Sequence, residues 1–81
     1  MKLGVYAMKD NLSGFLTPTF EANDDVAMRN FAYAVSHKDT LLYAQKKDFD
    51  LYKIGEYDTE TGHLEPLESV DMLMQGSAVN V

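Results

Sequence analysis

The chain of 81 residues has no cysteine and no tryptophan. Lack of cysteine removes disulfides, thiolate nucleophiles and thiolate metal sites, and fits a reducing compartment. The only imidazoles are His37 and His63, one near the end of a predicted helix and one beside a turn glycine, and without cysteine they complete no zinc-type ligand set. Asp58-x-Glu60-x-Gly62 has the start of a calcium-loop spacing but lacks the third acid, the glycine position and the distal glutamate. Neither metal nor cofactor is expected. The glycines, Gly4, Gly14, Gly55, Gly62 and Gly76, are too dispersed for a phosphate loop. Ser13, Ser36, Ser69 and Ser77 sit in no nucleophile-elbow context, and neither histidine is placed to activate one. The expectation is a protein that is not an enzyme and works by binding. No apolar run reaches the ~18 residues of a membrane span. The start, Met1-Lys2-Leu3-Gly4-Val5-Tyr6, lacks the apolar stretch of a signal peptide. A soluble protein acting where it is made is therefore expected, with no membrane partner.

Positive charge is missing from one end. Residues 1–55 hold all seven Lys and Arg together with seven acids, whereas residues 56–81 hold six acids and neither Lys nor Arg, giving the net charge of −6. A neutral body with an acidic end leaves room for a local basic patch, although the whole-chain field repels nucleic acid. The hydrophobic fraction of 46% is that of a globular chain. At this length a domain buries only about 60–65% of its unfolded surface, so self-association is an expected source of stability.

Residues 2–9 alternate as a strand, with Leu3, Val5 and Ala7 on one side and Tyr6 and Met8 on the other. A turn at residues 10–14 leads to a returning strand over 15–20, interrupted by Pro18, whose missing N–H places it at an edge. Asn23-Asp24-Asp25 supplies a cap and first-turn negative charge for a helix over 24–37. Its apolar stripe is Ala27, Met28, Phe31, Ala32, Ala34 and Val35. Residues 49–57 predict a strand with Tyr57 and Lys53 on one face and Tyr52 and Ile54 on the other. A second turn at 58–62 leads to a strand over 63–67 that meets Pro66; residues 70–74 could add a strand, and 75–81 should fray.

An internal repeat runs through this pattern. Residues 10–18 and 58–66 share Asp-x-x-Ser/Thr-Gly-x-Leu-x-Pro at an offset of 48. Asp and Ser/Thr bond back to turn amides and Gly accepts positive φ, which is hairpin-loop chemistry. Two hairpins that converged on one turn type, and a pseudo-symmetric ββ–α–ββ unit, both account for it.

Aromatics are plentiful: Tyr6, Phe15, Phe20, Phe31, Tyr33, Tyr43, Phe49 and Tyr52 share the neutral body with all the lysines, and Tyr57 follows just beyond it. Single strands of nucleic acid are bound by stacking bases on aromatics in a positively charged groove. The plainer reading puts Phe15, Phe20, Phe31 and Phe49 in the core, half-buries the tyrosines, and leaves the lysines as solubilising edge charges.

Gly14-Phe15-Leu16-Thr17-Pro18-Thr19-Phe20, Ala27-Met28-Arg29-Asn30-Phe31 and Leu51-Tyr52-Lys53-Ile54-Gly55 resemble the small nonstructural protein of gokushoviruses, microviruses with single-stranded DNA genomes. The similarity covers roughly residues 2–67. It implies a protein made in the cytoplasm of the infected bacterium and absent from the virion, often labelled DNA-binding, and it supplies no motif of functional residues.

The fold expected is α+β: an antiparallel sheet of four to five strands from two hairpins, with one amphipathic helix on one face. Residues 1–67 form the domain and 68–81 an acidic C-terminal segment. The leading function is assistance of single-stranded DNA replication or packaging by binding that DNA; the rival is a module that binds the phage replication initiator or a host replication protein. A homodimer is expected. Candidate stacking residues are Tyr6, Tyr52 and Tyr57, and candidate phosphate contacts Lys2, Lys9 and Lys53. Strand alternation prevents all six from sharing one face.

Overall fold

A computed structural model describes residues 1–79. Strand β1 (Lys2–Asp10) is the spine of an all-antiparallel sheet. On one side it pairs with the short strands β2 (Gly14–Phe15) and β3 (Thr19–Glu21), on the other with β4 (Phe49–Asp58). Strand β5 (Leu64–Gln75) completes the sheet along β4. Helix α1 (Asp24–Ser36) and the short helix α2 (Leu41–Ala44) join the two hairpins, so the expected α+β arrangement is present. The first strands of the two hairpins lie side by side.

The returning strand is split as Pro18 demands. Between β2 and β3 only Leu16 stays tied to β1, its N–H donating to the Met8 carbonyl at 2.8 Å. Helix α1 starts where its side chains dictate: Asn23 is extended, and its side chain accepts from the Val26 N–H at 2.9 Å. Ala27, Phe31 and Val35 then recur on the inner stripe and are buried against Tyr6, Phe49 and Leu51 of the sheet. Met8, Met28, Leu42, Leu73, Met74 and Val79 close around that core. Tyr33, on the polar side of α1, is exposed and meets His37 edge-on at 4.6 Å. No helix among the described residues is long and apolar enough to cross a membrane.

Both repeat glycines have positive φ, 126° at Gly14 and 77° at Gly62. Each loop also carries the same Asp bond: Asp10 Oδ1 accepts from the Leu12 N–H at 3.0 Å, and Asp58 Oδ1 from the Glu60 N–H at 2.9 Å. The Glu60 amide is the main reason the Asp58 carboxyl lies below its ordinary value. Beyond that the loops differ. Ser13 Oγ donates to Asp10, whereas Thr61 Oγ1 accepts from the His63 N–H. The repeat is shared turn chemistry on unlike loops.

Three features depart from the sequence reading. Strand β5 crosses residue 67, where a boundary was expected, because residues on both sides of it pair with β4. Residues 75–79 are packed rather than frayed: Gly76 is buried so closely that a side chain there would strike the Lys46 and Phe49 carbonyls, and Lys46 Nζ donates to the Val79 carbonyl at 2.9 Å. The rest of that expectation, at residues 80–81, lies outside the described residues.

The third departure is a double bulge. Val5 pairs with Gly55 and Tyr6 with Lys53, which leaves Ile54 unmatched. Across β4, Gly55 pairs with Pro66 and Lys53 with Asp71, so residues 67–70 are looped out opposite Ile54. One extra residue inverts the alternation beyond it. Lys53 and Tyr57 therefore point to opposite faces, and Tyr52, Ile54 and Tyr57 share one, which corrects the pairing predicted from simple alternation.

Candidate binding face

One face of the sheet is covered by α1 and the other is open. Positions paired across strands share a face, so the open face can be assembled from the register. Strand β1 contributes Leu3, Val5, Ala7 and Lys9; Phe15 lies opposite Lys9 and Phe20 opposite Val5. On β4, Tyr52 lies between Ala7 and Met72, and Tyr57 between Leu3 and Leu64.

Two edge-to-face aromatic pairs result. Phe15 meets Tyr52 with ring centroids 5.3 Å apart, and Phe20 meets Tyr57 at 5.4 Å, both at 75° between planes. Phe15 and Phe20 are 47% and 48% exposed, so ring surface remains free for another π-system. Lys9 Nζ sits 5.6 Å from the Phe15 ring centroid, in cation–π range. Asp50, opposite Lys9, is buried and accepts from Asn11 Nδ2 at 3.0 Å. Beside the second pair the face dips into an apolar hollow of about 250 Å³ that includes Val5, Phe20 and Ile54 in its lining.

Charge is sorted between the faces. At registered strand positions the open face carries only Lys9 and the buried Asp50. Glu21, Glu56, Asp58, Glu65 and Asp71 register with the helix side. Glu68 belongs to the looped-out part of β5. The sheet thus has an apolar aromatic face and an opposite face on which these acids stand together with Lys2 and Lys53.

Of the six candidate residues, Tyr52, Tyr57 and Lys9 come together on the open face. Tyr6, Lys53 and Lys2 are on the helix side, because they alternate with Val5 and Ala7 or register with residues that do. Tyr6 is only 1% exposed and offers no ring for stacking. Its ring lies across Gly4, where a side chain would collide with it, and its Oη donates to Asp24 Oδ1 at 2.6 Å. Burial first, and then the bond to the Asp24 carboxylate, push its phenol well above the ordinary value. Lys53 Nζ lies 3.7 Å from both Asp24 Oδ1 and Glu56 Oε2. Lys2 is exposed, opposite Asp58, on a shallow polar surface with Glu56, Thr61, His63 and Glu65.

Phe15 and Phe20 were read as core in the plainer account and are instead the exposed partners of the two tyrosines. The signal was present: both lie on the proline-broken strand, and an edge strand buries less. Among the described residues, no three His, Cys, Asp or Glu side chains are placed to hold a metal ion.

A family model described as phage ORF5 protein matches residues 3–79. No curated protein and no solved structure matches the chain.

Proposed function

Because the chain belongs to the phage ORF5 protein family, we propose that it is a nonstructural bacteriophage protein of the gokushovirus kind. It binds single-stranded DNA on the open sheet face, assists replication or packaging of the genome in the host cytoplasm, and catalyses nothing itself. The observation that carries this reading is the coincidence of two half-exposed aromatic pairs with the one face from which acids are almost excluded. A base stacked on a sheet aromatic contributes about 1–3 kcal/mol, whatever its identity. Phosphates meet a single registered lysine, Lys9, so stacking outweighs charge.

That balance sets the test. Fluorescence titration of a short oligonucleotide should show an affinity whose logarithm falls by only about 0.7 per decade of salt, the share of one phosphate contact on single strands. Tyr52→Ala should weaken binding by about 1–3 kcal/mol, and Lys9→Gln should flatten the salt dependence. A folded protein with no affinity for single strands even at ~20 mM salt, where phosphate contacts are strongest, rejects the reading.

The second reading, a module for the replication initiator or a host replication protein, is favoured by the exposed Leu64, Val70 and Met72, which suit an apolar protein surface. It takes over if the titration fails.

A further inference from the structure

The apolar hollow on the open face has a construction that stacking alone does not use. Its apolar walls are Val5, Pro18, Phe20, Ile54, Leu64 and Pro66, with Gly55 and Glu65 completing the lining, and its volume is about 250 Å³. The double bulge creates it. Ile54, unmatched in both ladders, turns onto this face, and Gly55 beside it lets β5 approach so closely that a Cβ would stand 2.6 Å from the Glu65 carbonyl oxygen. Both repeat prolines, at equivalent positions of the two hairpins, converge on the same hollow. Prolines have no N–H, the side chains of Val5, Phe20, Ile54 and Leu64 are hydrocarbon, and Glu65 registers with the helix side of the sheet. The site therefore offers rigid apolar contact and almost no hydrogen-bond readout.

We infer that this hollow seats one unpaired nucleobase, thymine in preference to the others, next to the Phe20–Tyr57 pair. The inference rests on the single-strand reading above and sharpens it. The hollow is smaller than the ~300–1,000 Å³ of sites that enclose drug-sized ligands, which suits a base rather than a whole nucleotide. Phe20 belongs both to the wall and to the aromatic pair, so a base entering the hollow leaves its neighbour on the strand beside the exposed rings. Glu65 is the one polar residue of the lining, and its register with Glu56 turns its side chain to the opposite face, so discrimination comes from apolar contact. The thymine C5-methyl is the group that an apolar wall recognises.

The deciding experiment compares oligo(dT) with oligo(dU) of equal length, identical except for that methyl. The wild-type protein should bind oligo(dT) about three- to fourfold more tightly, the effect of burying one methyl. Leu64 is 60% exposed, so Leu64→Gln should leave the fold intact, as circular dichroism would verify. In that variant the dT/dU ratio should fall to one while binding persists through Phe15 and Tyr52. Equal affinities in the wild type, or a thymine preference that survives Leu64→Gln, overturn the base site and leave single-strand binding standing. Failure to bind either oligonucleotide overturns both. A wild-type dimer in sedimentation that Leu64→Gln converts to monomer assigns the hollow to a second copy of the chain, and also overturns the base site.

Discussion

Tyr6 ties three elements together through one hydroxyl. Its ring crosses β1 above Gly4, and its Oη reaches Asp24 in the first turn of α1, where Lys53 of β4 also approaches. Hydrogen bonds to charged groups are worth about 1.5–3 kcal/mol, so Tyr6→Phe should destabilise the protein by an amount of about that order. The pH dependence gives a sharper check. The folded phenol is held above its ordinary value, so its contribution is fully present below about pH 10, the unfolded value, and is lost as pH rises beyond it. Urea melts at increasing alkalinity should therefore show wild type and Tyr6→Phe converging; parallel loss of stability would mean that Tyr6 ionises normally. The sequence could not place this residue by type alone. A tyrosine on a strand beside lysines fits a stacking platform and a core equally well, and the decision was made by Gly4, two positions away, whose missing side chain leaves space for the ring.

At the scale of elements, what is local was legible and what depends on a neighbour was not. Asn23 bonds three residues ahead, and the stripe of Ala27, Phe31 and Val35 follows the helical period, so α1 was read within a residue of its observed end. Phe31 stands in the middle of the buried stripe, and Phe31→Ala should cost about 3–5 kcal/mol. A denaturant melt showing less than about 1 kcal/mol of loss would mean a site able to collapse around the gap, outside the usual range for a buried phenylalanine. Strand β4 was also found, but its faces were exchanged past Ile54. Nothing in Leu51-Tyr52-Lys53-Ile54-Gly55 marks a bulge by itself. The insertion follows from how β1 and β5 dock on either side, with Gly55 against the backbone of β5. That single slip separated Tyr57 from Lys53 and joined it to Tyr52, so the aromatic platform was visible as a composition before it was visible as a place.

For the whole molecule, the acidic end is not an appendage. Leu73, Met74 and Val79 pack on the core, and Gly76 locks against the turn before β4. Truncation after Pro66 should therefore abolish cooperative unfolding instead of merely relieving charge; a shortened chain that still melts cooperatively would show the core to be complete without β5. The position of those acids has a further consequence. Strand β5 runs for twelve residues along an edge of the sheet, and an unguarded edge of that length is a template on which identical chains can stack into fibres. Along it stand Glu65, Pro66, the looped-out residues with Glu68, and Asp71, which are a charge, a missing donor, a distortion and further charge. Half of the acids that seemed to argue against a nucleic-acid partner, Glu65, Glu68 and Asp71, thus stand on this edge, where like charge opposes the extension of one copy of the chain by the next.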